Sequence, residues 1–279
     1  MNRTSKLPRE TMDKAVILAR GLGTRMRKDD PGAALTAEQS AAANVGVKAL
    51  IPIGRPFLDY LLSALADAGY RRVCLVIGPE HREVPQYVQG LSTRRLSIAF
   101  AVQEKPLGTA DAVAAAEGFA ADDPFLVINS DNYYPLDAMA ALRGLDTAGL
   151  IGFEREGLTE GGNIPPERIA RFAVIRSSPD GFLEDVIEKP SAEELARFRE
   201  PICLSMNCWR LGPTIFPACR AIPPSPRGEL ELPDAVRYSA KVLGQRYRVL
   251  VFHRPVLDLS SRGDIASVAG KLKDLEVNL

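Results

Sequence analysis

An apolar run of strand length, Lys14-Ala-Val-Ile-Leu-Ala19, opens directly onto a glycine turn, Gly21-Leu-Gly-Thr-Arg25. A continuous run of this kind reads as a strand buried on both faces, as in a parallel sheet. Gly21 and Gly23 permit positive φ and close approach of the backbone to a ligand. Successive N–H groups in such a turn form a concavity for phosphate oxygens, and Arg25 adds a fixed charge with fork geometry. Three readings fit the turn by itself: a phosphate site, an ordinary strand-to-helix connection, or a dinucleotide site. The dinucleotide pattern needs glycine at position 26, which is Met26, and no Gly-Lys-Ser/Thr of a P-loop follows.

The alternation continues through the first half. Arg55 to Ala68 places Phe57, Leu58, Leu61, Leu62 and Leu65 at helical spacing, with Gly69 as the stop. Arg72 to Gly78, Leu96 to Val102 and Phe125 to Asn129 read as strands, and Thr109 is placed to cap an Ala-rich helix running through Phe119. Strand and helix in alternation predict an α/β fold, with a mostly parallel sheet covered on both faces. The second half changes character. Ile169 to Arg176, Leu183 to Glu188 and Ile202 to Arg210 are short β-like runs, with a turn at Ser178-Pro-Asp-Gly181. Ile222-Pro-Pro-Ser-Pro226 reads as a loop, Tyr247 to His253 as a strand, and Arg262 to Leu275 as a closing amphipathic helix. Asp29 to Asn44, rich in Ala and Gln, reads as an insertion that is either a mobile flap or a short helix.

Composition narrows the partners. Lys+Arg and Asp+Glu are both 35, so no net charge grips nucleic acid or an anionic membrane, and 6% aromatics argues against base-stacking platforms. No apolar run approaches the ~18 residues of a membrane span, and Met1 to Lys14 is charged rather than signal-like. Cys74, Cys203, Cys208 and Cys219 lack zinc spacing and read as reduced thiols of a cytoplasmic protein. His81 and His253 read as loop or strand-end residues, which disfavours histidine-based chemistry.

Further segments then form a pattern. Val47-Lys-Ala-Leu-Ile-Pro-Ile53 and Arg55-Pro-Phe-Leu-Asp-Tyr60 follow the glycine turn. Gln103-Glu-Lys-Pro-Leu-Gly-Thr-Ala110, Ser130-Asp-Asn132, Glu188-Lys-Pro190, Arg227-Gly-Glu-Leu-Glu231 with Asp234, and Val256-Leu-Asp-Leu-Ser260 come after them in order. Together, over roughly residues 13 to 268, the chain resembles the sugar-1-phosphate nucleotidyltransferases (NDP-sugar pyrophosphorylases). The resemblance implies a Rossmann-like nucleotidyltransferase fold: a mixed, mostly parallel sheet with helices on both faces and a smaller β-rich sugar-binding part. It implies one domain over 1–279, with a nucleotide-binding half near 13–135, a sugar-binding half near 136–268, and a C-terminal helix over 262–275.

The activity implied is Mg²⁺-dependent transfer of a nucleotidyl group from a nucleoside triphosphate to a sugar 1-phosphate, releasing pyrophosphate. Such a reaction needs in-line positioning and charge cancellation between two anions. The resemblance assigns Arg25, Lys48 and Asp131 to catalysis. It assigns Ala19, Gly21, Gly23, Thr24, Gln103, Gly108 and Thr109 to the nucleotide, and Glu188, Lys189, Asn207 and Arg227 to the sugar phosphate. Asp131 and Asp258 would hold Mg²⁺, an ion that takes a couple of carboxylates plus phosphate oxygens and water. Read singly, Asp131 is equally a helix-cap or turn residue, and each Lys or Arg a solvated charge. The expected partners are therefore a nucleoside triphosphate and a sugar 1-phosphate, with a homo-oligomer left open, and the base leans to a pyrimidine.

Three departures from the family pattern stand out. Arg20 sits where a small residue is usual, Ala173 where glycine is usual near the sugar, and the 27–47 connection is long enough to fold over a triphosphate as a lid. No residues remain after about 275 for a left-handed helix domain, so no acetyltransferase activity is expected. Two other readings stay open: a cytidylyltransferase acting on a non-sugar phosphate, and a catalytically inactive nucleotide-sugar-binding regulatory protein.

Overall fold

The computed structural model describes residues 12–188, 190–195, 197–198 and 200–279. The strands are β1 (Lys14–Leu18), β2 (Arg72–Ile77), β3 (Ser97–Val102), β4 (Phe125–Asn129), β5 (Asn132–Tyr133) and β6 (Ala148–Glu154). They continue with β7 (Ala173–Ser177), β8 (Leu183–Ile187), β9 (Cys203–Ser205), β10 (Trp209–Leu211), β11 (Tyr247–Phe252) and β12 (Leu257–Asp258). Among the described residues ten of them form one sheet, ordered β3-β2-β1-β4-β10-β6-β9-β7-β8, with β11 on the other edge of β6. The first four are parallel; β4–β10, β10–β6, β6–β9, β9–β7 and β7–β8 are antiparallel. This is the α/β class and mixed sheet that the alternation predicts.

The apolar runs read as doubly buried strands because they are. Along β1, Ala15 and Ile17 enter one core with Leu58, Leu62 and Leu65 of the helix Phe57–Asp67. Val16 and Leu18 enter the other core, with Val113 of the helix Thr109–Ala115 and Phe216 of the helix Ile215–Ala221. Each such side chain taken from water contributes about 1.5–3 kcal/mol. The helix Phe57–Asp67 ends as its sequence predicts. Gly69 has φ +94°, and the Tyr70 N–H returns to the Leu65 carbonyl at 3.0 Å.

A third, smaller core lies behind the glycine turn. Met26, Ile51, Phe57 and Leu61 meet Leu257, Leu259, Ile265 and Val268 there, the last two from the C-terminal helix Asp264–Leu272. That packing anchors β12. The insertion is a short helix, Ala37–Val45, with a capping box between Thr36 and Gln39. It is held by Gln39 Nε2 donating to the Pro52 carbonyl at 2.9 Å and packs beside the glycine turn.

Three local expectations are corrected. Ile169 to Arg176 is half 3₁₀ helix, Pro166–Arg171, before β7 begins. Ile202 to Arg210 is not one strand: β9 pairs with β6 and β7, β10 pairs with β4 and β6, and Asn207 between them has φ +55°. Thr109 does not cap its own helix. The N-cap is Gly108, the helix stops at Ala115, and Thr109 Oγ1 instead accepts the Leu232 N–H at 2.8 Å.

Candidate active site

β1 and β4 run parallel with Leu18 opposite Asn129, so their C-terminal extensions emerge side by side. Open α/β sheets place ligand sites at this edge. A cavity of about 270 Å³ opens there, lined by Ala19 to Leu22 from the first extension and Asn129 to Asp131 from the second. Lys48, Gln103, Gly108, Thr109, Asn207 and Glu229 complete the wall. Eight of the residues singled out in the sequence thus share one cavity: Ala19, Gly21, Lys48, Gln103, Gly108, Thr109, Asp131 and Asn207.

Lys48 begins a 3₁₀ turn, Lys48–Leu50, and its Nζ lies 2.8 Å from Asp131 Oδ2. Their side chains are 13% and 24% exposed, so the pair is partly desolvated yet open to the cavity. Gly23 has φ +61°, and a Cβ there would collide with the Gly46 carbonyl oxygen, so the turn admits only glycine at that point.

The loop from Gln103 to Asp111, which the resemblance assigns to the nucleotide base, is pinned from both ends. The Gln103 N–H donates to the Ile77 carbonyl at 2.9 Å. Gln103 Nε2 donates to the Gly108 carbonyl at 3.0 Å and to Asp111 Oδ2 at 2.8 Å. Both amide hydrogens are therefore spent on protein, and the side chain offers a ligand its carbonyl oxygen rather than the donor–acceptor pair expected of a free amide. Gly108, at φ +122°, lies against the Leu230 backbone with no room for a Cβ. Leu230 donates to the Leu107 carbonyl at 2.6 Å and accepts from the Ala110 N–H at 2.8 Å. These bonds carry Glu229 to the cavity wall.

Asp258 reaches the same region from behind. β12 pairs antiparallel with β5, Asp258 opposite Asn132, and the Leu259 N–H donates to the Asp131 carbonyl at 2.8 Å. Burial, and then the negative charge of Asp131, push the Asp258 carboxyl up to about 6. Its oxygens are occupied. Asn132 Nδ2 donates to Oδ1 at 3.2 Å, the Ser260 hydroxyl lies 2.8 and 2.9 Å from the two oxygens, and the Arg168 guanidinium binds Oδ2. Arg168 also bridges to Asp264 at 2.7 Å. Asn163 holds the Asp258 main chain from both sides, donating to its carbonyl at 2.7 Å and accepting its N–H at 2.8 Å.

Among the described residues no group of three or more His, Cys, Asp or Glu side chains gathers as a metal cluster. A Mg²⁺-like ion does not need one; one or two carboxylates with phosphate oxygens and water suffice. Asp131, partly open on the cavity, fits that donor chemistry. Asp258 would join it in competition with the Arg168 guanidinium on Oδ2.

Other assigned residues stand apart. Gly23, Thr24 and Arg25 lie outside the cavity lining, and Arg25 is exposed on the short helix Thr24–Arg27. Arg227 is ion-paired with Glu231. Burial opposes its charge, and the negative charges of Glu231, Glu229 and Glu188 outweigh that and raise its pKa. Lys189 lies outside the described residues. Asn207 reaches the cavity wall, and its carbonyl accepts from Trp209 Nε1 at 3.2 Å.

Sequence reasoning missed Arg168, Asn132, Asn163 and Ser260. Arg168 lies one residue before the run read as β-like from Ile169, outside every motif singled out in the sequence. Asn132 and Ser260 sit inside the two metal-like motifs and could have been taken up from their neighbours. Elsewhere, Cys74, Cys203, Cys208 and Cys219 are buried free thiols, and burial pushes Cys74 up to about 12. Among the described residues no helix is long and apolar enough to cross a membrane.

Comparison with known proteins gives the chain's family and fold likeness. The family model described as nucleotidyl transferase matches residues 14–251. A glucose-1-phosphate thymidylyltransferase of Streptomyces antibioticus is 33% identical over 230 residues, covering 81% of this chain and 56% of that protein. A UTP–glucose-1-phosphate uridylyltransferase of Bacillus subtilis is 25% identical over 255 residues, covering 82% of this chain and 79% of that one. The chain spans about half the length of relatives such as the Streptomyces enzyme. In fold, the crystal structure of a UDP-glucose pyrophosphorylase complexed with UDP-glucose superposes with a TM-score of 0.73 at 19% identity, over 95% of this chain and 100% of that one.

Proposed function

The chain belongs to the nucleotidyl transferase family, and from that premise we propose that it acts as a single nucleotidyltransferase unit. In this reading it joins a pyrimidine nucleoside triphosphate to a hexose 1-phosphate and releases pyrophosphate. The observation that carries the reading is the Lys48–Asp131 pair, set between the glycine turn and the end of β4 in a cavity of about 270 Å³. The names of the relatives favour glucose 1-phosphate as acceptor and a thymidine or uridine triphosphate as donor.

A phosphate oxygen of the sugar 1-phosphate attacks the α-phosphorus of the triphosphate. The new P–O bond forms as the α–β bridging bond breaks, and its electron pair leaves with pyrophosphate. Lys48 holds the α-phosphoryl oxygens and offsets the charge that builds on them, a contribution of about 3–4 kcal/mol in preorganised sites. Backbone N–H groups at Gly21 and Gly23, with Thr24 and Arg25, hold the β- and γ-phosphates. Gln103, Gly108 and Thr109 hold the base and ribose, with Ala19 against the nucleotide. Glu188, Lys189, Asn207 and Arg227 orient the sugar phosphate. Asp131 would hold a divalent cation, Mg²⁺ in this reading, with Asp258 as a second carboxylate. When bound, that ion screens the two anionic reactants from each other. Four buried, unpaired thiols suit a reducing, cytoplasmic setting.

The test is pyrophosphate release over a panel of nucleoside triphosphates and sugar phosphates, with and without Mg²⁺. Mg²⁺-dependent release with one sugar 1-phosphate supports the reading. Release only with a polyol or choline phosphate replaces it with the non-sugar acceptor. Tight triphosphate binding with no release under any condition replaces it with a nucleotide-sugar-binding regulatory protein, a reading that the engagement of both Asp258 oxygens favours.

A further inference from the structure

Arg20 leaves β1 pointing away from Asp131, over the C-terminal ends of β2 and β3. Its Nη2 sits 3.2 Å from each oxygen of Glu80, which follows β2, and 3.4 Å from the carbonyl of Glu104, which follows β3. The side chain is only 6% exposed, and it lines the cavity. Its Nε and Nη1 are buried and without a partner among the described residues. A buried donor left unmatched costs about 1–3 kcal/mol, more on a charged group. At a cavity wall, a ligand acceptor removes that cost.

We infer that Arg20 is a specificity-determining residue that donates to a ring carbonyl of the nucleobase and so discriminates against adenine. The inference rests on the nucleotidyltransferase reading for the identity of the ligand as a nucleotide. Three observations place the contact on the base rather than the phosphates. The sheet order β3-β2-β1-β4 puts the phosphate turn and Asp131 over β1 and β4, and puts Arg20 on the opposite side, beside the base loop. Gln103, the polar side chain of that loop, has spent both of its N–H groups on Gly108 and Asp111. A base carbonyl entering there needs a donor from elsewhere, and Arg20 Nη1 is without a partner among the described residues, while Nε is turned against Gly78. Uracil, thymine, guanine and cytosine each carry a ring carbonyl; adenine carries none and turns an amino group toward the cation instead. Gly78 makes the arrangement possible, because a Cβ there would collide with Arg20 Nε and the Glu80 carboxylate.

The test compares the wild type with Arg20→Met, which keeps bulk but removes the donors, and with Arg20→Lys. Binding of UTP, dTTP, GTP, CTP and ATP is measured directly by calorimetry, and transfer to glucose 1-phosphate in parallel; thermal unfolding confirms that each variant is folded. Arg20→Met weakens the best carbonyl-bearing nucleotide about tenfold or more, leaves ATP unchanged, and so flattens the preference. In transfer the loss falls on the nucleotide KM, and Arg20→Lys recovers part of it. Gly78→Ala, which displaces the guanidinium without removing it, flattens the preference in the same direction. Unchanged affinities in Arg20→Met, an equal loss for ATP, or a wild type that binds ATP as well as the others overturns the inference. A wild type that binds nucleotides selectively but transfers nothing defeats the proposed activity, while the calorimetry still decides the role of Arg20.

Discussion

The Lys48 ammonium rests 2.8 Å from the Asp131 carboxylate, though the two are 83 positions apart in the chain. Each is the counter-ion of the other. In the proposed reaction a phosphate would compete for Lys48 and a cation for Asp131, so ligand charge would exchange with protein charge at this pair.

Replacing either member removes that exchange. Lys48→Met and Asp131→Asn each lower kcat/KM by about 10²–10³ while the thermal midpoint stays within a few degrees of wild type. The double variant loses little more than either single one, because the residues act as a unit. Steady-state kinetics on the three proteins checks this, and an additive loss contradicts it.

Arg168 holds Asp258 and Asp264 together in a nearly dry setting. Arg168→Met leaves two carboxylates facing each other, and lowers stability by about 3–5 kcal/mol. Divalent cations restore part of the loss, because the freed Asp258 can then bind one. Denaturant titration with and without Mg²⁺ reads both effects; a variant whose stability ignores Mg²⁺ shows that Asp258 cannot serve as a ligand.

Gly108→Ala strains the base loop on two counts, a φ of +122° and the collision with Leu230. The expected loss is about 3 kcal/mol of stability. Nucleotide affinity falls with it, whereas Gly118→Ala, at a position with open space around it, is neutral. Paired thermal unfolding and nucleotide-binding measurements on the two variants separate the local effect from general fragility.

His253 lies 2.7 Å from Glu154 and 3.4 Å from Glu160, and its hydrogen bond to Glu154 raises its pKa above the ordinary 6.5. The folded state therefore binds its proton more tightly than the unfolded chain. The stabilisation is complete below pH 6.5 and is lost as pH rises through the raised value. His253→Gln removes this slope. Because the group is fully exposed, the effect is a small shift in midpoint between pH 5.5 and 8.5, visible only as the difference between the two proteins.

The parallel half was legible because β1, β2 and β4 are buried on both faces: Val16 and Ile17 serve opposite cores, so the run has no polar gap to obscure it. The second half was less so. Asn207 turns a nine-residue stretch that looks like one strand into two, through a left-handed backbone that no pattern of polarity records. Thr109 has the chemistry of a cap, yet the approach of Leu232 claims its hydroxyl. At the site, Lys48 and Asp131 became a pair only through resemblance and then through geometry, since nothing local in either segment refers to the other. Arg168 carried no signal, because a charge outside every motif looks the same whether it meets water or a buried carboxylate.

Leu107 and Leu230, joined by a main-chain bond of 2.6 Å, tie the loop from Gln103 to Asp111 to the acidic segment 227–231. In the proposed function one main-chain route would thereby serve both the base and the sugar phosphate. Inserting or deleting a residue along 227–231 would therefore shift Gly108 and Thr109 on the cavity wall as well, whereas exchanging the exposed Glu229 side chain leaves that main-chain tie intact.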